Sequence, residues 1–216
     1  MSTDFVNACV SDTPEQLTTL LQDAANNTIE QCSAGLFKLT ESLDGSATSD
    51  VLDKLEILFT HQPHIINLYN EYGCAPIHHA CLAIGRQLEL STDFTAKTAI
   101  IRKLVQLGAD INLPVTNHTA SLPLHLSCLN QNYNIAKFLL DSGVNVNAAN
   151  NNNMTPLFFS LQNEHMIKLL FDNNADINHK DGHGDTPLAS WDKNLKQNGT
   201  MFEAARQMIV SCGGTN

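Results

Sequence analysis

The sequence predicts an all-α solenoid in which pairs of helices repeat along the chain, and two observations carry this prediction. The segment Leu122–Asn178 contains one pattern twice, and its two prolines, Pro123 and Pro156, lie 33 residues apart. Each copy starts with a proline-led apolar segment and ends with a segment such as Val144–Asn147, in which apolar and polar residues alternate. A single unit of this size cannot bury its own apolar face, so neighbouring units have to stack.

Each part of the repeated unit has a physical reason. A proline can start a helix without loss, because the first-turn N–H has no partner inside the helix. Glycine after the second helix (Gly108, Gly143) suits a left-handed C-terminal residue, and Asn174 tolerates the same conformation. The alternating Val144–Asn147 predicts a short extended arm that leads into a turn. Four prolines open units of this kind: Pro76, Pro123, Pro156 and Pro187.

The unit resembles the ankyrin repeat, whose pattern is T-P-L-H-x-A, two short helices and then G-A-D-V-N. The resemblance is strongest over residues 68–190, weaker over 191–214 and marginal before residue 63. It implies an ankyrin-repeat solenoid of helix pairs with short β-hairpin arms. It also implies that His78 and His125 form hydrogen bonds between neighbouring units, and that Cys81 and Cys128 occupy a small-residue position.

The N-terminal part departs from this pattern. Residues 1–67 are predicted to hold divergent capping helices and a degenerate repeat, and residues 68–216 to hold ankyrin repeats that end in a C-terminal cap. Apolar residues at helical spacing and the helix start at Pro14 support helices in this part of the chain. The predicted helices are Asp4–Val10, Pro14–Gln22, Thr28–Ser42 and Asp50–His61.

Two later units carry irregularities. An insertion of 12 residues, placed within Gly85–Thr95, precedes a helix over Ile100–Leu107, since Pro76 and Gly108 are 32 residues apart but Pro123 and Gly143 only 20. The last unit is expected to end with a helix over Met201–Ser211. Trp191 stands where the pattern wants alanine, and it either plugs the open end of the stack, the preferred interpretation, or forms part of a ligand surface. Phe158 and Phe159 are predicted to pack between units.

Composition limits the classes of function. The net charge is −10, with nine acidic residues and one basic residue, Lys38, before residue 54, and the chain has no basic patch for nucleic-acid phosphates. No apolar run is long enough for membrane insertion, and the N-terminus does not resemble a signal peptide. The six cysteines lack paired spacing and are predicted to be free thiols. We therefore expect a monomer in the cytoplasm, or in a host cytoplasm if the chain is a secreted bacterial effector.

Several residues invite a chemical role, and each has a simpler explanation. Cys74, His78, His79 and Cys81 lie within eight residues, but only Cys74 and His79 are not explained by the repeat, and two ligands do not make a structural metal site. A cysteine–histidine nucleophile lacks any surrounding catalytic signature. The Asp181/Asp185 pair could bind calcium weakly, but a turn explains it. The prediction is a protein without metal, cofactor or enzymatic activity.

The predicted function is protein recognition on a concave face that the resemblance assigns to hairpin tips and first helices. Tyr72, Leu129 and Met154 are the expected anchors, because aromatic and flexible apolar side chains dominate binding energy. Two alternatives remain: a regulatory or inhibitory subunit, or host-directed effector, that docks a basic target through its acidic N-terminal half, and a Cys/His enzyme. The residues expected to contact the partner are Glu71, Tyr72, Cys74, Leu82, Ala83, His118, Thr119, Ser121, Leu129, Asn130, Asn151, Asn152, Met154, Gln162, Asn163, Gly182, His183, Asp185 and Lys193.

Overall fold

The computed structural model describes residues 9, 11–21, 34–35, 38–39, 48–82, 93–195 and 203–215. Within these ranges the ordered elements are helical and no β-strand is present. The chain divides into two compact units, Met1–Asn117 and His118–Asn216. The boundary between residues 67 and 68, which concerns where the regular repeats begin, stays a prediction.

The first unit holds four α-helices whose bounds are described. Helix α1 packs on α2, α2 packs on α4, and α3 packs on α4. A 3₁₀ helix at Pro63–Asn67 contacts both α2 and α3. The buried side chains of Leu55, Leu58, Ile77 and Ile100 form the apolar centre of this unit. The helices are α1 (Pro14–Leu21), α2 (Thr48–His61), α3 (Pro76–Leu82) and α4 (Asp93–Gln106).

The second unit consists of two rows of helices. One row contains the first helix of each repeat: α5, a 3₁₀ helix at Pro156–Phe159, and α8, each in contact with the next. The other row contains the second helices α6, α7 and α9, which also contact one another in sequence. The bounds are α5 (Pro123–Leu129), α6 (Tyr133–Asp141), α7 (Glu164–Asp172), α8 (Pro187–Leu195) and α9 (Glu203–Ser211).

The predicted all-α repeat architecture is confirmed, and the four prolines begin helices as predicted. The helix after the insertion predicted within Gly85–Thr95 begins earlier than predicted, at Asp93 rather than at Ile100. The insertion is therefore shorter at its C-terminal end. The predicted helix over Pro14–Gln22 is described to Leu21, and the one over Asp50–His61 starts at Thr48. Residues 4–8, most of Thr28–Ser42, residues 83–92 and residues 201–202 lie outside the described part, so those predictions stay open.

The short extended arm predicted at Val144–Asn147 is wrong, because this segment forms a turn. The N–H of Ala148 donates to the carbonyl of Asn145 at 3.1 Å, and the N–H of Asn147 donates to the Asn145 side chain at 2.9 Å. β-Hairpin arms are therefore not confirmed. Side-chain amides provide hydrogen bonds between repeats in this region.

Three asparagines at the same repeat position connect one repeat to the next. The side-chain oxygen of Asn147 accepts from the N–H of Asp176 at 2.7 Å, and its amide nitrogen donates to the carbonyl of Asn174 at 3.0 Å. Asn67 and Asn178 make the corresponding pairs of bonds with their own following repeats. Each asparagine side chain thus bonds one backbone N–H and one backbone carbonyl in the loop that follows the second helix of the next repeat.

Each repeat also presents a tight turn, here called a tip, and the tips share one construction. At residues 150–154 the Asn150 side chain accepts from the N–H groups of Asn152 (2.9 Å) and Met154 (3.1 Å). Asn70 and Asp181 hold the tips at 70–74 and 181–185 in the same way. The fourth position of each tip has a positive φ, which is 72° at Gly73 and 54° at Asn153. In the tip at residues 117–121 this position is Ala120, whose φ is 47°.

We expect Ala120→Gly to stabilise the protein by about 0.5–1 kcal/mol. A side chain with a Cβ atom strains the left-handed backbone that Ala120 adopts, and glycine removes that strain. The matched control is Ala136→Gly in helix α6, which should destabilise by about 1 kcal/mol because glycine disfavours a helix interior. Chemical denaturation measures both values. A loss of stability with Ala120→Gly would show that the tip does not need this conformation.

Candidate protein-interaction surface

The side chains expected to contact a partner divide by exposure. Tyr72 is 74 % exposed and Leu129 is 54 % exposed. Glu71, His118, Asn151, Asn152, Gln162, Gly182, His183 and Lys193 are also exposed, whereas Cys74, Leu82, Thr119, Asn130, Met154, Asn163 and Asp185 are half-buried. Ala83 lies outside the described residues. Ser121 is only 6 % exposed and its hydroxyl donates to Thr119 at 3.2 Å, so we leave it out of the accessible surface.

Backbone hydrogen bonds connect successive tips in the second unit. The N–H of Asn151 donates to the carbonyl of Thr119 at 2.9 Å, and the N–H of Gly182 donates to the carbonyl of Asn152 at 2.8 Å. The Asn151 side chain adds a bond to the carbonyl of His118 at 3.1 Å. The tips around residues 119, 151 and 182 therefore lie side by side and form one preformed edge.

The ends of the first helices continue this edge in the second unit. Leu129 closes helix α5, and Gln131, just after it, donates to the Gln162 side chain of the next repeat at 3.3 Å. Lys193 on helix α8 pairs with Asp185 at 2.6 Å, and this ion pair connects the tip at residues 181–185 to helix α8. Asn163 serves the fold, because its side chain caps helix α7 by accepting from the N–H of Met166 at 3.1 Å.

The two motif histidines are internal connectors, as the resemblance implies. The Nδ1 atom of His125 accepts from the N–H of Leu122 at 3.1 Å, and its Nε2–H donates to the carbonyl of Met154 in the next tip at 3.0 Å. His78 accepts from Ala75 at 2.8 Å and donates to Leu113 at 2.7 Å. Both ring nitrogens of each buried side chain are thus engaged with the backbone, which opposes a role in metal binding.

Acid should destabilise the protein through these two histidines. Burial lowers the pKa of His78 and of His125 below the ordinary value of 6.5, while hydrogen bonds to backbone carbonyls oppose the effect. Their stabilising contribution is complete above the unfolded pKa and is lost as the pH falls below it, because the unfolded chain then binds more protons. The free energy of unfolding, measured with urea at about pH 7.5 and at about pH 5.5, should be lower at the lower pH. Stability that rises on acidification would contradict it.

Among the described residues, Asp181, His79 and Cys74 lie in surroundings that disfavour the chemical roles considered for them. Asp181 accepts from the N–H groups of His183 and Asp185 and so builds a turn. His79 contacts the Asn70 amide at 2.9 Å. Burial raises the pKa of the Cys74 thiol, which disfavours the thiolate that a nucleophile needs. In the described ranges no cluster of three or more metal-binding side chains occurs, and no helix is long and apolar enough to cross a bilayer.

Two aromatic positions differ in their surroundings. Trp191 is buried, as a plug would be. Phe158 is buried as predicted, whereas Phe159 is half-buried and meets the His125 ring edge-on at a centroid distance of 5.6 Å. Phe158 stands at the repeat position that His78 and His125 occupy, and the residue three positions before it is Thr155. Its buried hydroxyl lacks a hydrogen-bond partner among the described residues.

We expect Thr155→Val to stabilise the protein by about 1 kcal/mol, because the isosteric change removes a buried, unsatisfied hydroxyl. Thr186, at the same position of the next unit, supplies the control. Its hydroxyl donates to Thr215 and accepts from the N–H of Ala189 at 3.2 Å, so Thr186→Val should destabilise by about 1–2 kcal/mol. Thermal and urea unfolding of both variants measure the difference. Equal losses in the two variants would show that the Thr155 hydroxyl is satisfied.

The second helices of the second unit offer a different surface. An open groove lies between helices α6 and α7, lined by Tyr133, Asn163, His165, Lys168, Leu169 and Asp172. Lys168 pairs with Asp172 at 2.9 Å, so these charges largely neutralise each other. Phe171, on α7, is 41 % exposed. This surface serves below as a control.

Sequence reasoning missed two exposed side chains beside the first tip. Leu68 and Tyr69 follow the 3₁₀ helix at Pro63–Asn67 and are 37 % and 38 % exposed. The sequence signal that could have revealed them is the presence of Leu68, Tyr69 and Tyr72 within five consecutive positions of a predicted loop. Such residues are uncommon in a solvated turn, where glycine, proline and small polar residues dominate.

Comparison with known proteins agrees with the repeated geometry. The sequence model of the family described as ankyrin repeats (3 copies) matches residues 88–181. A protein of fowlpox virus (strain NVSL) named for its ankyrin repeats is 31% identical over 72 residues, which are 33% of this chain and 38% of that protein. The match therefore concerns repeats and spans well under half of the viral protein.

Proposed function

Because residues 88–181 of this chain are ankyrin repeats, we propose that it recognises another protein, without catalysis, through its exposed tips and the ends of its first helices. Ankyrin repeats are protein–protein interaction modules. We call the residues His118, Thr119, Leu129, Asn151, Asn152, Gln162 and His183 the tip surface of the second unit. The tip of the first unit, with Glu71 and Tyr72, is considered by itself below.

One observation carries the proposal: the tips are fixed by the backbone while their side chains stay exposed. Hydrogen bonds between Asn151 and Thr119 and between Gly182 and Asn152 hold successive turns in register. A surface that is already ordered avoids much of the entropy cost of association. Leu129, more than half exposed at the edge of this surface, supplies an apolar anchor.

The charges favour a protein partner over nucleic acid. The chain carries a net charge of −10, and the Lys193 ammonium on the tip side is neutralised by Asp185. Neutralising phosphates requires unpaired lysine and arginine side chains on one face. The tip surface is instead rich in amide and imidazole groups, which suit hydrogen bonding to a polar protein surface.

Charge insertion tests the proposal. The partner is first identified by capture with the intact protein and mass spectrometry, and its affinity is then measured for two variants. Leu129→Asp should weaken binding at least tenfold, since a carboxylate cannot be buried unpaired in an interface. Phe171→Asp, at another exposed apolar position but on the second helices, should leave affinity within about twofold. The reverse pattern would refute the proposal.

The acidic segment 1–53 supports a second candidate, a regulatory or effector-like role in which this segment docks a basic target. Attraction between exposed charges is screened by salt, whereas apolar and hydrogen-bonded contacts are less sensitive. Binding that collapses between low and moderate salt, and that survives Leu129→Asp, would favour this candidate. Salt-insensitive binding that is lost with Leu129→Asp would favour the tip surface.

We also propose that the chain acts as a monomer in a reducing compartment such as the cytoplasm. Among the described residues, the Cys74 and Cys212 side chains are free thiols. Free thiols are typical of proteins in reducing compartments, where disulfides are rare. Sedimentation of the purified protein at several concentrations measures the oligomeric state, and a concentration-dependent dimer would contradict this part of the proposal.

A further inference from the structure

The first tip carries an exposed cluster of aromatic and apolar side chains. Tyr72 is 74 % exposed, and Leu68 and Tyr69 each expose more than a third of their surface. We call residues 68–72 the aromatic tip. Large apolar side chains gathered at one turn mark an interaction site more often than scattered ones do.

The aromatic tip is held in place before any partner arrives. The Tyr69 hydroxyl donates to the carbonyl of Pro114 at 2.8 Å, and its ring stacks on the His78 ring at a centroid distance of 6.3 Å. The Asn70 side chain accepts from the N–H of Tyr72 at 3.0 Å and so fixes the backbone that carries this ring. A ligand would therefore meet an ordered platform rather than a loop that has to be ordered.

Two acidic side chains lie at or beside this platform. The exposed carboxylates of Glu71 and Asp110 form no ion pair with a described lysine, arginine or histidine. Asp110 lies close enough to act on Tyr69, because burial and then the Asp110 charge raise the pKa of the Tyr69 hydroxyl. Two acidic side chains elsewhere in this unit differ in being paired. Lys54 neutralises Asp50, and Lys103 neutralises Glu56.

We propose that the aromatic tip binds a basic peptide segment of a partner protein, with an arginine side chain against the Tyr72 ring and its guanidinium paired with Glu71. The face of an aromatic ring attracts cations. Arginine suits the site better than lysine, since its planar guanidinium is more weakly hydrated, stacks on rings and bonds a carboxylate in two places. This inference rests on the proposed function and names the partner chemistry at one tip.

Peptide selection on the full-length protein tests the inference without a known partner. Phage-displayed random peptides of about a dozen residues are selected on the wild-type chain and depleted on Tyr72→Ala. The recovered peptides should be enriched in arginine. For a synthetic peptide from this pool, Tyr72→Ala should weaken binding roughly tenfold, Glu71→Gln roughly threefold, and Tyr72→Phe should retain most of the affinity. Replacing the peptide's arginine with neutral citrulline should abolish binding.

The opposite results are equally specific. The inference fails if no peptide depends on Tyr72, if the recovered peptides are acidic or wholly apolar, or if citrulline binds as well as arginine. Unfolding temperatures confirm that each variant is folded, and Tyr133→Ala, a tyrosine on helix α6, serves as the matched control with unchanged affinity. Failure of the proposed function is distinguishable, because it is read from Leu129→Asp and the natural partner, whereas peptide binding here should survive Leu129→Asp.

Discussion

Alanine in place of His125 is expected to lower the free energy of unfolding by about 3 kcal/mol. The substitution removes the acceptor for the N–H of Leu122 and the donor to the carbonyl of Met154, and it leaves space where a buried ring had been. It also removes the edge-on contact with Phe159, which is worth about 0.5–1.5 kcal/mol. Urea unfolding followed by circular dichroism measures the loss.

His183→Ala supplies the matched control for this prediction. Its side chain is exposed at the last tip, and the backbone N–H that binds Asp181 is retained by alanine. The change in unfolding free energy should stay within about 0.5 kcal/mol. A loss below about 1 kcal/mol for His125→Ala would mean that the ring does not connect the repeats.

Leu139→Ala should cost about 3 kcal/mol, because Leu139 on helix α6 is fully buried and its truncation leaves a cavity between the helix rows. Leu129→Ala, the same change ten positions earlier, should alter stability by no more than about 0.5 kcal/mol since this side chain is largely exposed. Denaturant unfolding of the two variants gives both values. Comparable losses would show that Leu129 belongs to the core and is not free to bind a partner.

Local chemistry made the helix starts predictable. Pro76, Pro123, Pro156 and Pro187 each begin a helix, because the fixed φ of proline and its missing N–H suit the first turn whatever lies around it. The left-handed residue after each second helix was predictable for the same reason, and Asn174 adopts it with a φ of 67°. The roles of His78 and His125 followed from the resemblance and are confirmed by their hydrogen bonds.

Non-local contacts account for what the sequence did not predict. Val144–Asn147 alternates like a strand, but the Asn147 side chain instead bonds the backbone of residues 174 and 176 in the next repeat. The pattern of one segment does not reveal that partner. Ala120 adopts a positive φ although alanine disfavours it, because the surrounding repeat geometry determines the tip.

The interaction surface was the least predictable part. Ser121 fits the family's contact pattern but is buried, while Leu68 and Tyr69 lie outside that pattern and are exposed. Whether a tip side chain faces solvent depends on the neighbouring tip, as with the bonds that Asn151 and Asn152 make to adjacent turns. Exposure is therefore a property of stacked repeats rather than of one repeat sequence.

Photo-crosslinking tests most directly whether the tip surface is the binding face. A benzoylphenylalanine residue is introduced at Leu129 in one version of the intact protein and at Phe171 in another, since both side chains are exposed in the second unit but lie on opposite helix rows. On irradiation with the bound partner, we expect a covalent adduct from position 129 and none from position 171. An adduct from position 171 alone would contradict the proposed mode of recognition.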